Sequence, residues 1–390
     1  MRSDLSTHVL ESGLRRVHLL AWRDLDDVEA GGSEVHAHEI ATRWADAGLE
    51  VTMRTSYAPG RAPKVRRDGY EVVRKAGRYL VFPRAVLSAV TGRSGPFDAV
   101  VEIWNGVPFF SPLWTGRTPS IVFLHHVHAE MWRMVMPDNE GLARAGELLE
   151  SRLAPPFYRR TPIVTLSESS KRELVHDLGF KHEQVTVVPP GIHARFTPGG
   201  RRADHPVVCA VGRLVPVKRY DLLIEAMARV RADHPTAELV IVGEGYERPA
   251  LEALVQRLGA GSWISMPGRL DDDEVIDLYR RAWLVASSSA REGWGMTVTE
   301  AGACGTPAVA TRIAGHEDAI VEGETGLLAD PSDPGDLAAK IDLVLSDEVL
   351  RKTLAEGALE RSAELTWDAT ASRTFEVLAA EAARTASHRR

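Results

Sequence analysis

One segment of this 390-residue chain carries much of its chemical information: Glu292-Gly293-Trp294-Gly295-Met296-Thr297-Val298-Thr299-Glu300. Two carboxylates stand eight residues apart in it, separated by a glycine-rich turn and the start of an apolar helix. Glycines let backbone N–H groups approach an anion, and the N-terminus of a helix adds donors and a favourable dipole. Carboxylates accept hydrogen bonds from sugar hydroxyls. The segment therefore predicts a phosphate site flanked by two hydroxyl acceptors, which suits a nucleotide-sugar.

Short apolar runs on both sides of this segment alternate with amphipathic stretches, the pattern of parallel α/β sheets. Strands are predicted at residues 17–22, 51–55, 99–103, 121–124, 163–166 and 185–188, and again at 207–211, 238–242, 263–266, 284–287 and 307–310. The stretch 196–206 between the two sets is polar, rich in Gly and Pro, and predicts a linker. Single cores rarely exceed roughly 250–300 residues. The predicted fold class is therefore α/β, with two doubly wound Rossmann-like domains that face each other across a ligand-binding cleft.

Two cations, Arg213 and Lys218, follow the strand predicted at 207–211 and would lie at the carboxyl edge of its sheet. Transfer of a sugar from a nucleoside diphosphate leaves a charged diphosphate, which this pair could stabilise without a metal. The alternative is that both are ordinary surface cations. Asp24-Leu25-Asp26 has the spacing of a metal-binding pair, but we interpret its aspartates as loop or capping residues. We predict no metal and no cofactor, and the lack of a G-x-G-x-x-G segment disfavours an NAD site.

Three segments together resemble a known family. Residues 292–300 resemble its E-x7-E motif, Val211-Gly212-Arg213-Leu214-Val215-Pro216-Val217-Lys218 resembles its G-R-L-x3-K segment, and Ala30-Gly31-Gly32-Ser33-Glu34 resembles the glycine-rich turn after its first strand. In this order they resemble retaining glycosyltransferases of the GT-B fold, family 4 type, over nearly the whole chain. The resemblance implies an acceptor-binding domain at residues 1–198, a nucleotide-sugar-binding domain at 199–370, and a C-terminal helix, 371–390, that crosses back to the first domain.

The resemblance also implies roles for individual residues. A histidine after the strand at 121–124 would reach the donor sugar; we select His125, with His126 and His128 as alternatives. Glu292 would accept hydrogen bonds from the sugar and Glu300 from the ribose. The expected catalytic residues are His125, Arg213, Lys218 and Glu292. The expected donor-binding residues are Gly31, Gly32, Gly268, Arg269, Gly293, Trp294, Gly295, Met296, Thr297 and Glu300, of which Gly268 and Arg269 would border the nucleobase.

The implied activity is retaining, metal-independent transfer of a hexosyl group from a UDP- or GDP-linked sugar to a hydroxyl acceptor. No nucleophile is evident beside the anomeric carbon, so we expect a front-side pathway in which the leaving phosphate takes the acceptor's proton. Two alternatives stay open: a catalytically idle sugar-nucleotide-binding protein, and a GT-B enzyme with a phosphorylated-sugar or hydrolytic reaction. His193 departs from the family, which usually carries Asp or Asn there, and puts any polar role at that position in doubt.

The charge distribution indicates which partners to expect. A net charge of −7 disfavours nucleic-acid binding. Residues 54–93, however, hold ten basic residues against Asp68 and Glu71; the ten are Arg54, Arg61, Lys64, Arg66, Arg67, Arg74, Lys75, Arg78, Arg84 and Arg93. This segment is either a solvated loop and helix face, or a patch for an anionic acceptor or an anionic membrane surface.

Three features bear on location and on the start of the chain. The two cysteines, Cys209 and Cys304, are expected to be buried thiols, which fits a reducing cytoplasm. No apolar run approaches the ~18 residues needed to span a bilayer. We expect a cytoplasmic protein, peripheral at the inner face of the membrane if the basic segment binds lipid. Residues 1–15 have no apolar signal core and are expected to form a frayed leader.

Overall fold

A computed structural model describes residues 4–128, 131–135 and 139–387, and it divides into two compact units. Unit 1 contains the described residues up to Gly191 together with those from Trp367 onward, and unit 2 is Ile192–Thr366. Each unit is built on one mainly parallel sheet with helices packed against it. The predicted α/β class, with two Rossmann-like sheets, is confirmed.

The described residues form fourteen strands and fifteen α-helices. The strands are β1 (Arg16–Leu20), β2 (Glu50–Thr55), β3 (Lys64–Arg67), β4 (Tyr70–Arg74), β5 (Ala99–Ile103), β6 (Ser120–Phe123), β7 (Ile163–Thr165), β8 (Val185–Val187), β9 (Val207–Val211), β10 (Glu238–Val242), β11 (Ile264–Gly268), β12 (Leu284–Ser287), β13 (Ala308–Thr311) and β14 (Gly326–Ala329). The helices are α1 (Asp4–Ser12), α2 (Gly32–Asp46), α3 (Val81–Val90), α4 (Ser111–Trp114), α5 (Met131–Val135), α6 (Glu140–Leu148), α7 (Glu168–Asp177), α8 (Tyr220–Asp233), α9 (Arg248–Arg257), α10 (Asp272–Arg281), α11 (Met296–Ala303), α12 (His316–Ala319), α13 (Pro334–Ser346), α14 (Glu348–Ser362) and α15 (Trp367–Ser387).

The sheet of unit 1 has the order β3-β4-β2-β1-β5-β6-β7-β8, and every neighbouring pair is parallel except the β3–β4 hairpin. Helices cover both sides of the central strands, and all five residues of β5 are buried, Glu102 among them. The chain continues from β1 to β2 on one side, whereas β5 lies on the other side. The sheet therefore has a topological switch point at β1 and β5, where open α/β sheets bind ligands at the carboxyl ends of the strands.

The sheet of unit 2 has the order β11-β10-β9-β12-β13-β14, and all its pairs are parallel. Its cores are made by β-branched and leucine side chains against α8 and α13 on one face, and against α10 and α11 on the other. The strand order reverses between β9 and β12, which pair directly. This places the loops after β9 and β12 side by side at the second switch point.

The boundary between the units lies earlier than the predicted 198/199. The stretch expected to be a free linker is attached to unit 2, because Ala203 N–H donates to Arg281 O at 3.0 Å and Arg280 Nε donates to Thr197 O at 2.9 Å. The return to unit 1 comes at Trp367 rather than at residue 371. Helix α15 starts at that residue and packs on α1, α2 and β6.

The expectation of a frayed leader is wrong for residues 4–12. These residues form α1, whose buried side chains Leu5 and Val9 lie in the same core as Phe375 of α15. The pattern was missed because only two positions of this short helix are buried. Among the described residues, no helix combines the length and apolar character that crossing a bilayer requires.

Candidate active site

The loops after β9 and β12 are joined at the switch point of unit 2. The chain leaves β9 through Gly212 and Arg213 and makes a 3-10 turn at Pro216–Lys218. Ser288 Oγ donates to Lys218 O at 2.8 Å, and the Ala290 N–H donates to Val217 O at 2.8 Å. Two segments that are 70 residues apart in sequence are thus fixed against each other, and both carry predicted site residues.

Lys218 and Glu292 meet at this junction. The Lys218 ammonium donates to Glu292 Oε1, and Ser289 Oγ donates to the same oxygen at 2.8 Å. Burial opposes ionisation of Glu292, but Lys218, together with His316 and Ser289, holds the pKa of Glu292 below its usual value. The two side chains are 19% and 18% exposed, so a ligand can still reach them. Two residues that the sequence placed in one site are therefore in contact.

Arg213 lies half-buried on the turn that follows β9. The neighbouring loop after β10 comes very close to this turn: a Cβ on Gly243 would lie 1.9 Å from Gly212 O, and one on Gly245 would lie 2.1 Å from Leu214 O. Only glycine fits at these two positions, because the obstructing atoms are backbone. The turn that carries Arg213 is therefore packed tightly against the loop after β10.

The glycine turn after Glu292 ends at Gly295, which has a left-handed φ of +97° and precedes α11. Trp294 is buried, so only the backbone of that residue could contact a donor. Helix α11 begins at Met296, and Glu300 therefore lies in its second turn. The first-turn N–H groups of Met296 and Thr297 point out of the helix start, as an anion site requires.

Glu300 has an unusual electrostatic environment. Burial, with a further contribution from Asp272, raises the pKa of Glu300 to about 7, while Arg195 acts in the opposite direction. Arg195 and Asp272 form an ion pair of 2.6 Å. Glu300 therefore changes its protonation near neutral pH.

Gly268 is the last residue of β11, and Arg269 follows the strand. Gly268 is buried, has a φ of +92°, and accepts a hydrogen bond from Gly243 N–H at 2.8 Å. A Cβ there would lie 2.8 Å from a carboxylate oxygen of Glu244. Arg269 is exposed. The structure thus places Gly268 against the loop after β10, at the same edge of the sheet as Arg213.

In unit 1, the glycine turn at Gly31 and Gly32 leads into α2. One of its backbone N–H groups is already bound by a side chain of the protein. Gly31 N–H donates to Glu34 Oε2 at 2.8 Å, and Glu34 is buried against Arg23 Nε at 3.2 Å. The Gly31 N–H that was expected to serve the donor is therefore already used. Any anion at this helix start would depend on the N–H groups that follow, from Gly32 onward.

The three candidate histidines after β6 lie in different surroundings. His125 is buried, and its Nε2 lies 3.3 Å from Nδ1 of His36 on α2. Burial lowers the pKa of His125 to about 4, which keeps its ring neutral. His126 stacks on His128, and both are half-buried. The assignment to His125 thus concerns a side chain with little access to solvent.

His128 is held by two side chains. Its Nδ1 lies 3.2 Å from Glu150 Oε1, and its Nε2 lies 2.8 Å from Asn105 Oδ1. Its backbone N–H also donates to Glu150 Oε1, at 2.9 Å. Glu150 is buried on a π-helical turn, Leu149–Leu153, and also accepts from Trp132 Nε1. This makes His128 the best-oriented of the three histidines, at the carboxyl ends of β5 and β6.

The basic segment is not a uniform solvent-facing patch, and whether it binds an anionic acceptor or an anionic membrane surface stays a prediction. Arg74 is buried between Asp24 and Asp26, with Nε 2.7 Å from Asp24 Oδ2. Arg67 pairs with the same two aspartates, and Arg54 is also buried. Strands β3 and β4 bring Arg67 and Arg74 to the loop after β1, which supplies the two aspartates. Six cations stay exposed, and these are Arg61, Lys64, Arg66, Lys75, Arg84 and Arg93.

The same contacts explain Asp24-Leu25-Asp26. Both carboxylates are bound by arginines, and Asp24 also accepts from Thr55 Oγ1 at 3.1 Å. Although burial opposes ionisation of Asp24, Arg74 holds the pKa of Asp24 below its usual value. Within the described residues, no group of three or more His, Cys, Asp or Glu side chains has the arrangement of a metal site. The interpretation as loop residues agrees with these contacts.

Comparisons with known proteins agree with this geometry. The model of glycosyltransferase family 4 matches residues 30–196, and the model of glycosyl transferases group 1 matches residues 194–361. D-inositol 3-phosphate glycosyltransferases of Acidothermus cellulolyticus and Geodermatophilus obscurus are 34% and 33% identical to this chain, over 88% of it in both cases and over 84% and 83% of the relatives. The chain belongs to glycosyltransferase family 4.

Solved structures show the same fold. Sucrose-phosphate synthase from Thermosynechococcus elongatus has a TM-score of 0.80 at 21% identity, covering 93% of this chain and 98% of its own. Anabaena Alr3699/HepE in complex with UDP and glucose has a TM-score of 0.73 at 19% identity, covering 94% of this chain and 100% of its own. This family 4 glycosyltransferase therefore has the GT-B fold.

Sequence reasoning missed several residues that support the candidate site of this family 4 glycosyltransferase. His316, at the start of α12, lies beneath the glycine turn: a Cβ on Gly295 would lie 2.8 Å from its Cδ2. Gly315 packs on the backbone of Glu292, where a Cβ would lie 2.6 Å from the Glu292 carbonyl oxygen. The run Ser287-Ser288-Ser289 at the end of β12 was a usable signal, because polar residues at the carboxyl end of a buried strand face the ligand edge. Nothing in the local sequence marked His316.

Proposed function

We propose that this glycosyltransferase transfers a hexosyl group from a UDP- or GDP-linked sugar to a hydroxyl group with retention of configuration and without a metal ion. The observation that carries the proposal is the accessible Lys218–Glu292 pair at the switch point of unit 2, beside the start of α11. A cation, a carboxylate and free helix-start N–H groups are the three elements that a sugar diphosphate needs.

In the proposed donor complex, unit 2 binds the nucleotide-sugar. Lys218 has three N–H donors, so it can keep Glu292 and still reach a phosphate oxygen. Arg213 adds the second positive charge as the diphosphate leaves. Glu292 accepts hydrogen bonds from sugar hydroxyls, and Glu300 accepts them from the ribose. Gly268 and Arg269 border the base, and the backbone of residues 293–297 holds the phosphates.

The chemical step proposed is a front-side substitution. The bond between the anomeric carbon and the phosphate oxygen breaks, and the acceptor oxygen bonds to the same face of that carbon. The acceptor's proton goes to the leaving diphosphate, whose charge Arg213 and Lys218 stabilise. A histidine after β6 would assist at the reacting centre; His125 was selected from the sequence, with His126 and His128 as alternatives.

The proposed acceptor is an anionic polyol bound by unit 1. The relatives named D-inositol 3-phosphate glycosyltransferases support a phosphorylated cyclitol, and the exposed cations of residues 54–93 could attract such an anion. Binding of the same cations to an anionic membrane surface, and a cytoplasmic location, stay predictions.

The experiment is a transfer assay that pairs UDP-, GDP-, ADP- and dTDP-sugars with D-inositol 3-phosphate or with unphosphorylated inositol. We expect one donor to support transfer to the phosphorylated acceptor, with the product's anomeric configuration, read by NMR, equal to the donor's. Activity should persist in excess EDTA, because Arg213 and Lys218 supply the charge.

An inverted product, or activity restored by Mg²⁺ or Mn²⁺ alone, would overturn the corresponding part of the proposal. Donor hydrolysis without transfer would indicate a hydrolase, and nucleotide-sugar binding without any reaction would indicate an idle binding protein.

A further inference from the structure

Helix α3 of unit 1 is largely apolar on both of its sides. Its inner side carries Val81, Phe82 and Ala85, which are buried in the core between the helix and the sheet. Leu80 continues the helical register, because its carbonyl accepts from the Arg84 N–H at 3.2 Å. The outer side of a surface helix is normally charged and polar, since it faces water. The outer side of α3 departs from this pattern.

The outer side is formed by apolar residues at helical spacing. Leu80, Leu87 and Val90 are 65%, 58% and 64% exposed. Pro83, which lies between Leu80 and Leu87 on the same face, is also exposed. We call these four residues the outer strip of α3. Exposed apolar residues that lie together mark an interaction surface, whereas scattered ones are ordinary.

The sequence around the outer strip contains cations and no acids. Between Glu71 and Asp98 the chain has five basic residues and no Asp or Glu. Two of the five, Arg74 and Arg78, pair with acids of the loop after β1. The other three are exposed, and these are Lys75, Arg84 and Arg93. The surface that carries the strip is therefore positively charged.

An anionic lipid bilayer matches both features of this surface. A helix that lies in the plane of a bilayer buries its apolar side near the headgroups, and nearby cations are attracted to anionic lipids. Arg84, four residues after Leu80, lies beside the strip and can extend its guanidinium to the headgroups. A second copy of the chain fits less well. In a symmetric dimer the strip would meet its own copy, and the cations would face like charges.

We propose that α3 docks on an anionic lipid bilayer: the outer strip inserts among the headgroups, and Arg84 and Arg93 bind the lipid phosphates. Arg78, three residues before α3, pairs with Glu29 of the loop after β1 at 3.0 Å. Docking therefore brings this loop, at the carboxyl edge of the sheet, near the lipid. The proposal goes beyond the transfer reaction and does not depend on it.

Vesicle sedimentation tests the proposal directly. The wild-type protein should bind vesicles of equal parts phosphatidylcholine and phosphatidylglycerol about tenfold or more tighter than vesicles of phosphatidylcholine alone. Replacing Leu80, Leu87 and Val90 together by Gln should weaken binding to the mixed vesicles about tenfold or more, because apolar surface no longer leaves water. Gln forms helices nearly as well as Leu, so α3 should be retained.

Three exposed apolar residues of unit 2 provide the matched control. Leu258, Leu343 and Val349 are 43%, 45% and 76% exposed, and their replacement by Gln should leave vesicle binding unchanged. Arg84→Gln combined with Arg93→Gln should weaken binding to the mixed vesicles about fivefold per charge. High salt should remove this difference from wild type, because it screens charge. The difference caused by the apolar substitutions should persist in high salt.

A second measurement does not require the triple variant to fold. A polarity-sensitive fluorophore attached to the Leu87→Cys variant should shift its emission to the blue when the mixed vesicles are added. The same fluorophore on the Leu343→Cys variant should not shift. Cys209 and Cys304 are buried, so labelling should be confined to the introduced thiol.

Each outcome supports or overturns the proposal. It is overturned if the wild-type protein does not bind the mixed vesicles, if the apolar triple variant binds as well as wild type, or if both fluorophores shift equally. A wild-type dimer that the triple variant converts to a monomer, measured by light scattering without vesicle binding, would make the strip an interface between copies. None of these measurements uses sugar transfer, so a failure of the proposed function would be seen separately.

Discussion

Each unit has a salt bridge near the carboxyl edge of its sheet, and the two differ in what surrounds them. Asp24 and Arg74 in unit 1 are both 1% exposed, and Asp24 is also bound by one further arginine, Arg67, and by Thr55. Lys218 and Glu292 in unit 2 are 19% and 18% exposed and lie beside the glycine turn that precedes α11. A closed ion pair fixes a loop, whereas a half-open one can exchange part of its contacts for those of a substrate.

The largest expected effect is on stability, and it comes from breaking the buried Asp24–Arg74 pair. Arg74→Met leaves Asp24 buried without its main partner, and removing one member of a buried pair costs about 3–5 kcal/mol. We expect a loss of that size in the free energy of unfolding, measured with denaturant. Lys64→Met is the matched control on the same hairpin, because Lys64 pairs with Glu71 at the surface and should change stability by less than ~1 kcal/mol. Equal effects of both variants would show that the closed network does not stabilise the loop.

Substitutions at the half-open pair and at its neighbour Arg213 should lower kcat rather than stability. Lys218→Ala and Arg213→Ala should each lower kcat by ~10²-fold or more, as when one group that stabilises transition-state charge is removed. Thermal unfolding should show both variants folded, since both side chains are only half-buried. A kcat within tenfold of wild type in either variant would remove that residue from the proposed stabilisation of the leaving group.

These two pairs also show what the sequence could and could not predict. The position of Lys218 and Glu292 at the carboxyl edge of the sheet could be predicted from the strand pattern, because parallel strands end at the same edge. The pairing of Asp24 with Arg74 depends on the β3–β4 hairpin, which was not predicted: β3 is Lys64-Val65-Arg66-Arg67, and its charges hide the alternation of a strand. Counting charges therefore gave a basic patch, although three of its ten cations, Arg67, Arg74 and Arg78, pair with acids of the loop that follows β1.

His316 illustrates a second limit. Its importance arises from the close approach of α12 to the glycine turn, and such tertiary contacts leave no periodic trace in the sequence. His125 illustrates the opposite case, because its position after a strand was predictable, whereas its burial against His36 of α2 was not. Local patterns located the edges of both sheets; they did not determine which side chains at those edges are accessible.

A smaller effect is expected at Glu300, whose pKa near 7 falls within the assay range. The ionised carboxylate accepts ribose hydroxyls more strongly than the protonated form, so donor KM should fall as pH rises through about 7. The folded protein holds this proton more tightly than the unfolded chain, whose pKa is near 4.5. The stability that Glu300 contributes is therefore full below about pH 4.5 and is lost as pH rises to about 7.

Glu300→Gln tests both consequences of this shift. It should raise donor KM by about tenfold at pH 8, with kcat little changed, and should abolish the pH dependence of KM around neutrality. An unchanged donor KM, or a pH profile that survives the substitution, would show that Glu300 does not contact the ribose.

The smallest effect is expected from the cations that the closed network leaves exposed. Arg67 and Arg74 belong to that network, so a fair test of the basic segment neutralises Arg61, Arg66, Lys75 and Arg84 to Gln instead. A local positive field raises the concentration of an anionic acceptor, and salt screens it over a Debye length of about 8 Å at physiological ionic strength. We expect acceptor KM to rise about threefold at low salt, with donor KM unchanged and with the difference vanishing at high salt.

The matched control removes four exposed cations of unit 2, Arg201, Arg257, Arg281 and Lys352, and should leave acceptor KM unaltered. If both quadruple variants shift acceptor KM equally, the effect is one of net charge; if neither does, the exposed cations form a solvated face. Weaker binding of the unit 1 variant to anionic vesicles, with acceptor KM unchanged, would assign the same cations to a membrane surface.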